Sequence, residues 1–216
     1  MSAAVPNKRK ADAKVIILGD YAVGKTCLIS RYIDGKYGQH ESTIGAAFFL
    51  KQWGSYNVAV WDTAGDEKYT GLSSFYCRNA GAAILAFDLN KSTSYESLWA
   101  RFLPLLEHAK EDCLKVVVGT KRDAMNEDDR EITIDEAIEF AKEINKDIDI
   151  SKLNGEPYFE TSAKTGYNVS KVFEYMFSYC LPLDKSFNNK IDGKSTIDLS
   201  DDSNRAHRGK SCCHKQ

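Results

Sequence analysis

The sequence predicts an α/β fold, a six-stranded and mostly parallel sheet with helices on both faces and one antiparallel strand at its edge. Three observations predict it. Over residues 14–184, short runs rich in β-branched residues alternate with longer stretches of helical period. Most of those runs are continuously apolar, as strands covered on both faces must be. The second and third runs are joined only by Gly54-Ser55, too short for a crossover, so they must turn back as an antiparallel hairpin.

In chain order the strands are KVIILG (14–19), AAFFLKQW (46–53), YNVAVWD (56–62), AAILAFDL (82–89), LKVVVGT (114–120) and PYFETS (157–162). The helical stretches run from Lys25 to Asp34, Ser94 to Lys110, Ile134 to Ile144 and Val169 to Leu181. Ser94 with Ser97, and Thr133 with Glu136, have the residue types of N-terminal caps, the second at capping-box spacing. Pro182 ends the last helix, and no internal repeat is visible.

The 216 residues, 43% of them hydrophobic, suffice for one sizeable core. Residues 1–12 form a polar arm with the basic cluster Lys8-Arg9-Lys10, residues 13–181 the folded domain, and residues 182–216 a tail rich in Ser, Asp, Asn and Lys. Arm and tail are expected to be disordered, because they hold too few large apolar side chains to offset the entropy of ordering. A net charge of -2 exerts no global pull on nucleic acid, and none is expected as a partner. No apolar run approaches the roughly 20 residues of a membrane span, nor does the start carry a signal peptide's apolar core, so a cytosolic protein is expected. Cys27, Cys77, Cys113 and Cys180 are scattered among apolar neighbours and read as buried free thiols, whereas Cys212 and Cys213 stand adjacent in the polar tail.

GDYAVGKT, residues 19–26, matches G-x-x-x-x-G-K-[ST], with a strand before it and a helix after it as the motif requires. Gly19 and Gly24 let the backbone curl so that successive N–H groups of Asp20, Tyr21, Ala22, Val23 and Cys27 and their neighbours face an anion, backed by the helix dipole. Lys25 would reach the outer phosphates and Thr26 would ligate Mg²⁺. Asp62 closes the strand of VWDTAG, where an acid can hold Mg²⁺, and Gly65 can offer its N–H to a γ-phosphate.

With 42–45, 62–65, 120–123 and 160–164 added, five motifs stand in the order found in Ras-like small GTPases, and the resemblance covers residues 14–181. It implies a P-loop small-GTPase fold, GTP or GDP with Mg²⁺ as the ligands, and GTP hydrolysis as the reaction. It further implies that Thr43, on switch I, joins Thr26 and Asp62 at the metal while Thr43, Gly65 and Lys25 surround the γ-phosphate. TKRD resembles the guanine loop, in which Asp123 accepts two hydrogen bonds that adenine cannot donate. Lys121 would lie along the base, Thr120 would keep guanine selectivity with weaker support of the phosphate-loop backbone than an asparagine gives, and ETSAK would bring the Ala163 N–H to the guanine oxygen, braced by Ser162 and Lys164.

Within that superfamily, STIGAAF, WDTAGDEKY, YCRNAGAAILAFDL and ETSAKTGYNV resemble the Rab family. FLKQWGSYNVAVWDTAG, EDCL and SAKTGYNV are similar to the atypical branch numbered twenty, GTKRD and the terminal CCH to the branch numbered twenty-four. The resemblance implies an exchange factor, an activating protein, an escort protein, a dissociation inhibitor and switch-reading effectors. Phe48, Trp61 and Tyr76 resemble the aromatic triad those effectors read. It also implies geranylgeranyl groups on Cys212 and Cys213, and cycling to the cytosolic face of endosomal, phagosomal or autophagic membranes. Two lipid chains meet the requirement for stable anchoring, aided by Arg205, Arg208, Lys210 and Lys215.

Several features depart from the usual Rab pattern, among them Thr120 for the commoner asparagine of the guanine loop and a short hairpin, and two of the departures bear on hydrolysis. Asp66 stands where a glutamine usually orients the attacking water, and Tyr21 where the phosphate loop usually has a small residue. A carboxylate has no N–H to donate and brings negative charge toward the γ-phosphate, so slow intrinsic hydrolysis is expected with binding intact. A near-constitutively GTP-bound binding module is the alternative, and a small-molecule P-loop kinase a third, which leaves TKRD, ETSAK and the paired cysteines without a role.

Overall fold

The computed structural model describes residues 11–66, 68, 70–151 and 153–181. The strand β1 (Ala13–Leu18) is buried at every position except Lys14, because both of its faces are covered. It pairs in parallel with β3 (Tyr56–Thr63) on one side and β4 (Ala82–Asp88) on the other. Beyond β4 the sheet continues, still parallel, with β5 (Leu114–Thr120) and β6 (Tyr158–Glu160). At the opposite edge β2 (Ala46–Trp53) is antiparallel to β3, with Trp53 opposite Tyr56 across the Gly54-Ser55 turn. The order is β2-β3-β1-β4-β5-β6, so the six-stranded, mostly parallel sheet with its antiparallel edge is as the sequence predicts. Gly54 takes φ 60, the left-handed conformation that a two-residue hairpin needs.

Alternate residues of β1 enter two cores. Ile16 and Leu18 pack with Leu85, Phe87, Val117, Leu98 and Phe102, together with Ala137 and Ala141 of α4 (Ile134–Glu143). On the other face α1 (Lys25–Asp34) lies against α5 (Val169–Cys180), where Tyr32 stacks on Phe173 at 4.0 Å and Trp53 meets Phe177 edge-on at 5.6 Å.

Three helical expectations need correction. The single helix expected from Ser94 to Lys110 is α3 (Ser92–Ser97), a π-helical turn at Leu98–Phe102 and a 3₁₀ segment at Leu103–His108. Pro104 accounts for the break, since it has no N–H to continue an α-helical ladder, and the Leu103 N–H donates instead to Leu98 O. Ser94 is not a cap, because it sits inside the helix, where its hydroxyl donates to Lys91 O at 2.6 Å and accepts from Asp88 N at 3.0 Å. The cap at Thr133 is present, its Oγ1 accepting from Glu136 N at 3.2 Å. A further helix, α2 (Thr70–Cys77), was not expected at all, for Gly71 and two serines give it weak propensity and packing decides it.

Cys77 and Cys113 are buried thiols, but Cys27 and Cys180 are only half-buried. Among the described residues no helix is long and apolar enough to cross a membrane. The expectations for residues 1–10, for Pro182 and the tail, and for Cys212 and Cys213 lie outside the described residues.

Candidate functional site

Parallel pairing brings the carboxyl ends of β1, β3, β4, β5 and β6 to one edge of the sheet, and the antiparallel β2 begins there, with Ala46 opposite Thr63. The connection from β1 runs through α1 to β2 and β3 on one side, and the connection from β3 crosses back past β1 to β4 on the other, which makes the ends of β1 and β3 a topological switch point of the type where ligands bind in open α/β sheets. Two cavities open at this edge. One of about 750 Å³ is lined by the phosphate-loop residues Tyr21 to Cys27 except Val23, by Tyr37 to Ile44, and by Thr63, Gly65, Asp66 and Lys68. The other, of about 490 Å³, is lined among others by Thr120, Lys121, Asp123, Ala163 and Lys164. Gly24, Cys27 and Tyr37 border both.

In the phosphate loop, Gly19 approaches β4 so closely that a Cβ would lie 2.2 Å from Ala86 O. Ala22 (φ 59) and Gly24 (φ 101) are left-handed, which curls the loop before α1. Asp20 pairs with Arg101, and Val23 is buried beneath the loop. Lys25 is nearly enclosed, its Nζ donating to Gly19 O at 2.8 Å and Asp20 O at 2.7 Å. Burial lowers its pKa to about 8, while Asp62 and Asp20 oppose that shift and Arg101 adds to it.

Three oxygen donors meet beside it. Thr26 Oγ1 and Thr43 Oγ1 lie 2.7 and 3.0 Å from Asp62 Oδ2 and 3.1 Å from each other. Asp62 Oδ1 is buried without a hydrogen-bond partner. Burial raises the Asp62 pKa, while the two hydroxyls, Lys25 and His40 work to lower it. A hard, oxygen-only donor set with an unsatisfied carboxylate oxygen fits Mg²⁺, which takes one or two carboxylates and completes its shell with phosphate and water.

At the second cavity Asp123 Oδ1 accepts from Ser162 Oγ at 2.6 Å, and Lys164 Nζ stands 3.9 Å from Oδ2. Lys121 is left-handed at φ 59 and pairs with Asp88 at 2.7 Å. Burial would raise the Asp88 pKa, but Lys121 and Asn90 outweigh it and hold the carboxyl below its usual range. Thr120 does reach the phosphate loop, its Oγ1 lying 2.5 Å from Val23 O and 2.8 Å from Phe87 O. Ala163 lines the cavity, and its carbonyl accepts from Arg31 Nε at 2.5 Å.

Gly65 packs on the phosphate loop, where a Cβ would fall 2.4 Å from the carbonyl carbon of Asp20. The Asp66 carboxylate folds onto its own turn, accepting from Lys68 N at 3.1 Å and pairing with Lys68 Nζ at 2.8 Å. Those two bonds hold its pKa below the usual carboxylate range, so it is ionised at neutral pH. Tyr21, 62% exposed, shares a hydrogen bond with Ser42 Oγ at 3.2 Å. Phe48, Trp61 and Tyr76 adjoin in a row, with centroids 5.2 and 5.4 Å apart.

A sequence model described as the Ras family matches residues 14–181. The chain belongs to the Ras family. Among Ras-family proteins it is similar to Ras-related protein Rab-20 of Homo sapiens, 40% identical over 81% of this chain and 87% of the relative. It is likewise 40% identical to Rab-20 of Mus musculus over the same shares, and 37% identical to Rab-24 of Dictyostelium discoideum over 77% of this chain and 80% of the relative. The chain is therefore a Rab-family small GTPase. Small GTPases of the family bind GTP or GDP with Mg²⁺, hydrolyse GTP and act as switches in membrane trafficking.

Several residues that shape this Ras-family site carried no sequence signal. Arg31 of α1 donates to the carbonyls of both Ala163 and Lys164, tying the loop after β6 to the phosphate-loop helix. Arg130 grips Glu160 at 2.7 Å beneath the same loop. Asp88 and Arg101 act through Lys121 and Asp20. Their partners lie 30 to 133 positions away in sequence, beyond the reach of any local motif.

Proposed function

We propose that this protein is a Rab-type GTP switch whose intrinsic hydrolysis is slow. Residues 13–181 form the nucleotide domain, in which Gly19 to Cys27 cradle the phosphates. Lys25, Thr43 and Gly65 meet the γ-phosphate. Thr26, Thr43 and Asp62 would hold Mg²⁺, which when bound neutralises charge on the β- and γ-phosphates. Lys25 exchanges its two loop carbonyls for phosphate oxygens, and Thr120, Lys121, Asp123, Ser162, Ala163 and Lys164 take the guanine end. GTP draws Thr43 and Gly65 onto the γ-phosphate, ordering both switches for effectors, and hydrolysis releases them.

One observation carries the slow rate. Asp66 is an ionised carboxylate held to its own turn by Lys68, so it has no N–H to donate to an attacking water and its charge is turned toward Lys68. The test is single-turnover hydrolysis of preloaded GTP without an activating protein, comparing the wild type with Asp66→Gln. The glutamine variant is expected to be faster by about tenfold or more, equivalent to about 1.4 kcal/mol of barrier. Equal rates would mean that another group positions the water.

A second reading is a near-constitutively GTP-bound binding module, favoured by the Tyr21 ring, which lies over the phosphate loop, is hydrogen-bonded to Ser42 of switch I at 3.2 Å and would crowd an attacking water. In either case exchange and activating factors, an escort, a dissociation inhibitor and effectors at Phe48, Trp61 and Tyr76 are the proposed partners. Geranylgeranyl groups on Cys212 and Cys213 would carry the protein to endosomal, phagosomal or autophagic membranes.

A further inference from the structure

Arg101 belongs to none of the five nucleotide motifs. It sits on the π-helical turn Leu98–Phe102, a geometry that re-aims side chains and recurs at functional sites. Its guanidinium packs over the Phe102 ring, 5.1 Å from the centroid, and Nη1 pairs with Asp20 Oδ1. The two side chains are 35% and 16% exposed, so the carboxylate is the more deeply buried partner and its charge would be costly without the guanidinium.

Asp20 touches the parts of the site that meet the outer phosphates. Its carbonyl accepts from Lys25 Nζ at 2.7 Å. Its peptide to Tyr21 lies against Gly65, where a Cβ would stand 2.5 Å from Asp20 O and from Tyr21 N. Through this backbone, a shift of Asp20 would reach both Lys25 and Gly65.

We propose that Arg101 is a positioning residue of the phosphate site: by pairing with Asp20 it neutralises a largely buried carboxylate of the phosphate loop and steadies the peptide on which Gly65 rests, and so helps set the ratio of GTP to GDP affinity. This inference rests on the nucleotide reading above.

The experiment measures dissociation constants of fluorescent GTP and GDP, with Mg²⁺, for the full-length wild type, Arg101→Gln, Arg101→Lys and the double variant Arg101→Gln/Asp20→Asn. Arg101→Gln is expected to weaken GTP relative to GDP by about three- to tenfold, since an uncompensated charge near a partly exposed site is worth about a kcal/mol. Arg101→Lys should restore most of the ratio, and Asp20→Asn should rescue Arg101→Gln by removing the charge that needed a partner. An unchanged ratio in Arg101→Gln overturns the inference. So does equal weakening of both nucleotides that Asp20→Asn fails to rescue, which would mark Arg101 as structural only. A wild type that binds neither nucleotide overturns the nucleotide reading itself.

Discussion

An aspartate at position 66 differs from a glutamine in two respects that bear on a water molecule: it has no N–H to donate, and its charge repels a developing phosphate anion. Lys68 compensates the charge but cannot restore the donor. That asymmetry is why ground-state binding is expected to survive while the chemical step suffers. Asp123 presents the opposite case, in which acceptor character is what the ligand needs. Ser162 holds one carboxylate oxygen at 2.6 Å and so orients the group at the cavity wall. Asp123→Asn exchanges an acceptor for a donor, and the expected result is a GTP affinity lower by about tenfold to a hundredfold, the worth of one or two charged hydrogen bonds. Preference should move toward xanthine nucleotides in a competition assay, and unchanged GTP affinity would remove Asp123 from the site.

Elements matter here mainly by what they aim. α1 starts at Lys25 with the left-handed Gly24 as its cap residue and no side-chain cap, which leaves its first N–H groups available to an anion. α4 is different, because Thr133 satisfies one of its N–H groups and the helix takes no part in either cavity. Thr133→Ala is therefore expected to cost about 0.5–2 kcal/mol of stability in chemical denaturation. GDP affinity should stay at the wild-type value, and a loss of affinity would show that α4 supports the site. The interrupted third helix belongs at this scale as well, since the wider turn at Leu98–Phe102 is what carries Arg101 toward the phosphate loop.

For the whole molecule, two cavities sharing Gly24, Cys27 and Tyr37 make one cleft along the sheet's carboxyl edge, about 750 Å³ at the phosphate end and 490 Å³ at the base end. A protein that binds tightly and hydrolyses slowly should leave the cell carrying its ligand. Chromatography of nucleotide released from purified protein is expected to show a mixture of GTP and GDP, whereas GTP alone would favour the constitutively bound module. The strands, the hairpin, four of the five helices, although one with the wrong course, and the motif residues that meet at the cleft were legible in the sequence, whereas the wall from Tyr37 to Glu41 was not. Strand and helix periods, glycine chemistry and motif spacing are local properties, written in neighbouring residues. Helix α2, the break at Pro104 and the internal place of Ser94 were decided by packing, which overrides weak propensity. Only the tertiary structure could bring Arg31 to the loop after β6, Arg101 to Asp20 and Tyr21 to Ser42, because a salt bridge or hydrogen bond depends on distance in space, and the chain between the partners leaves no mark of it.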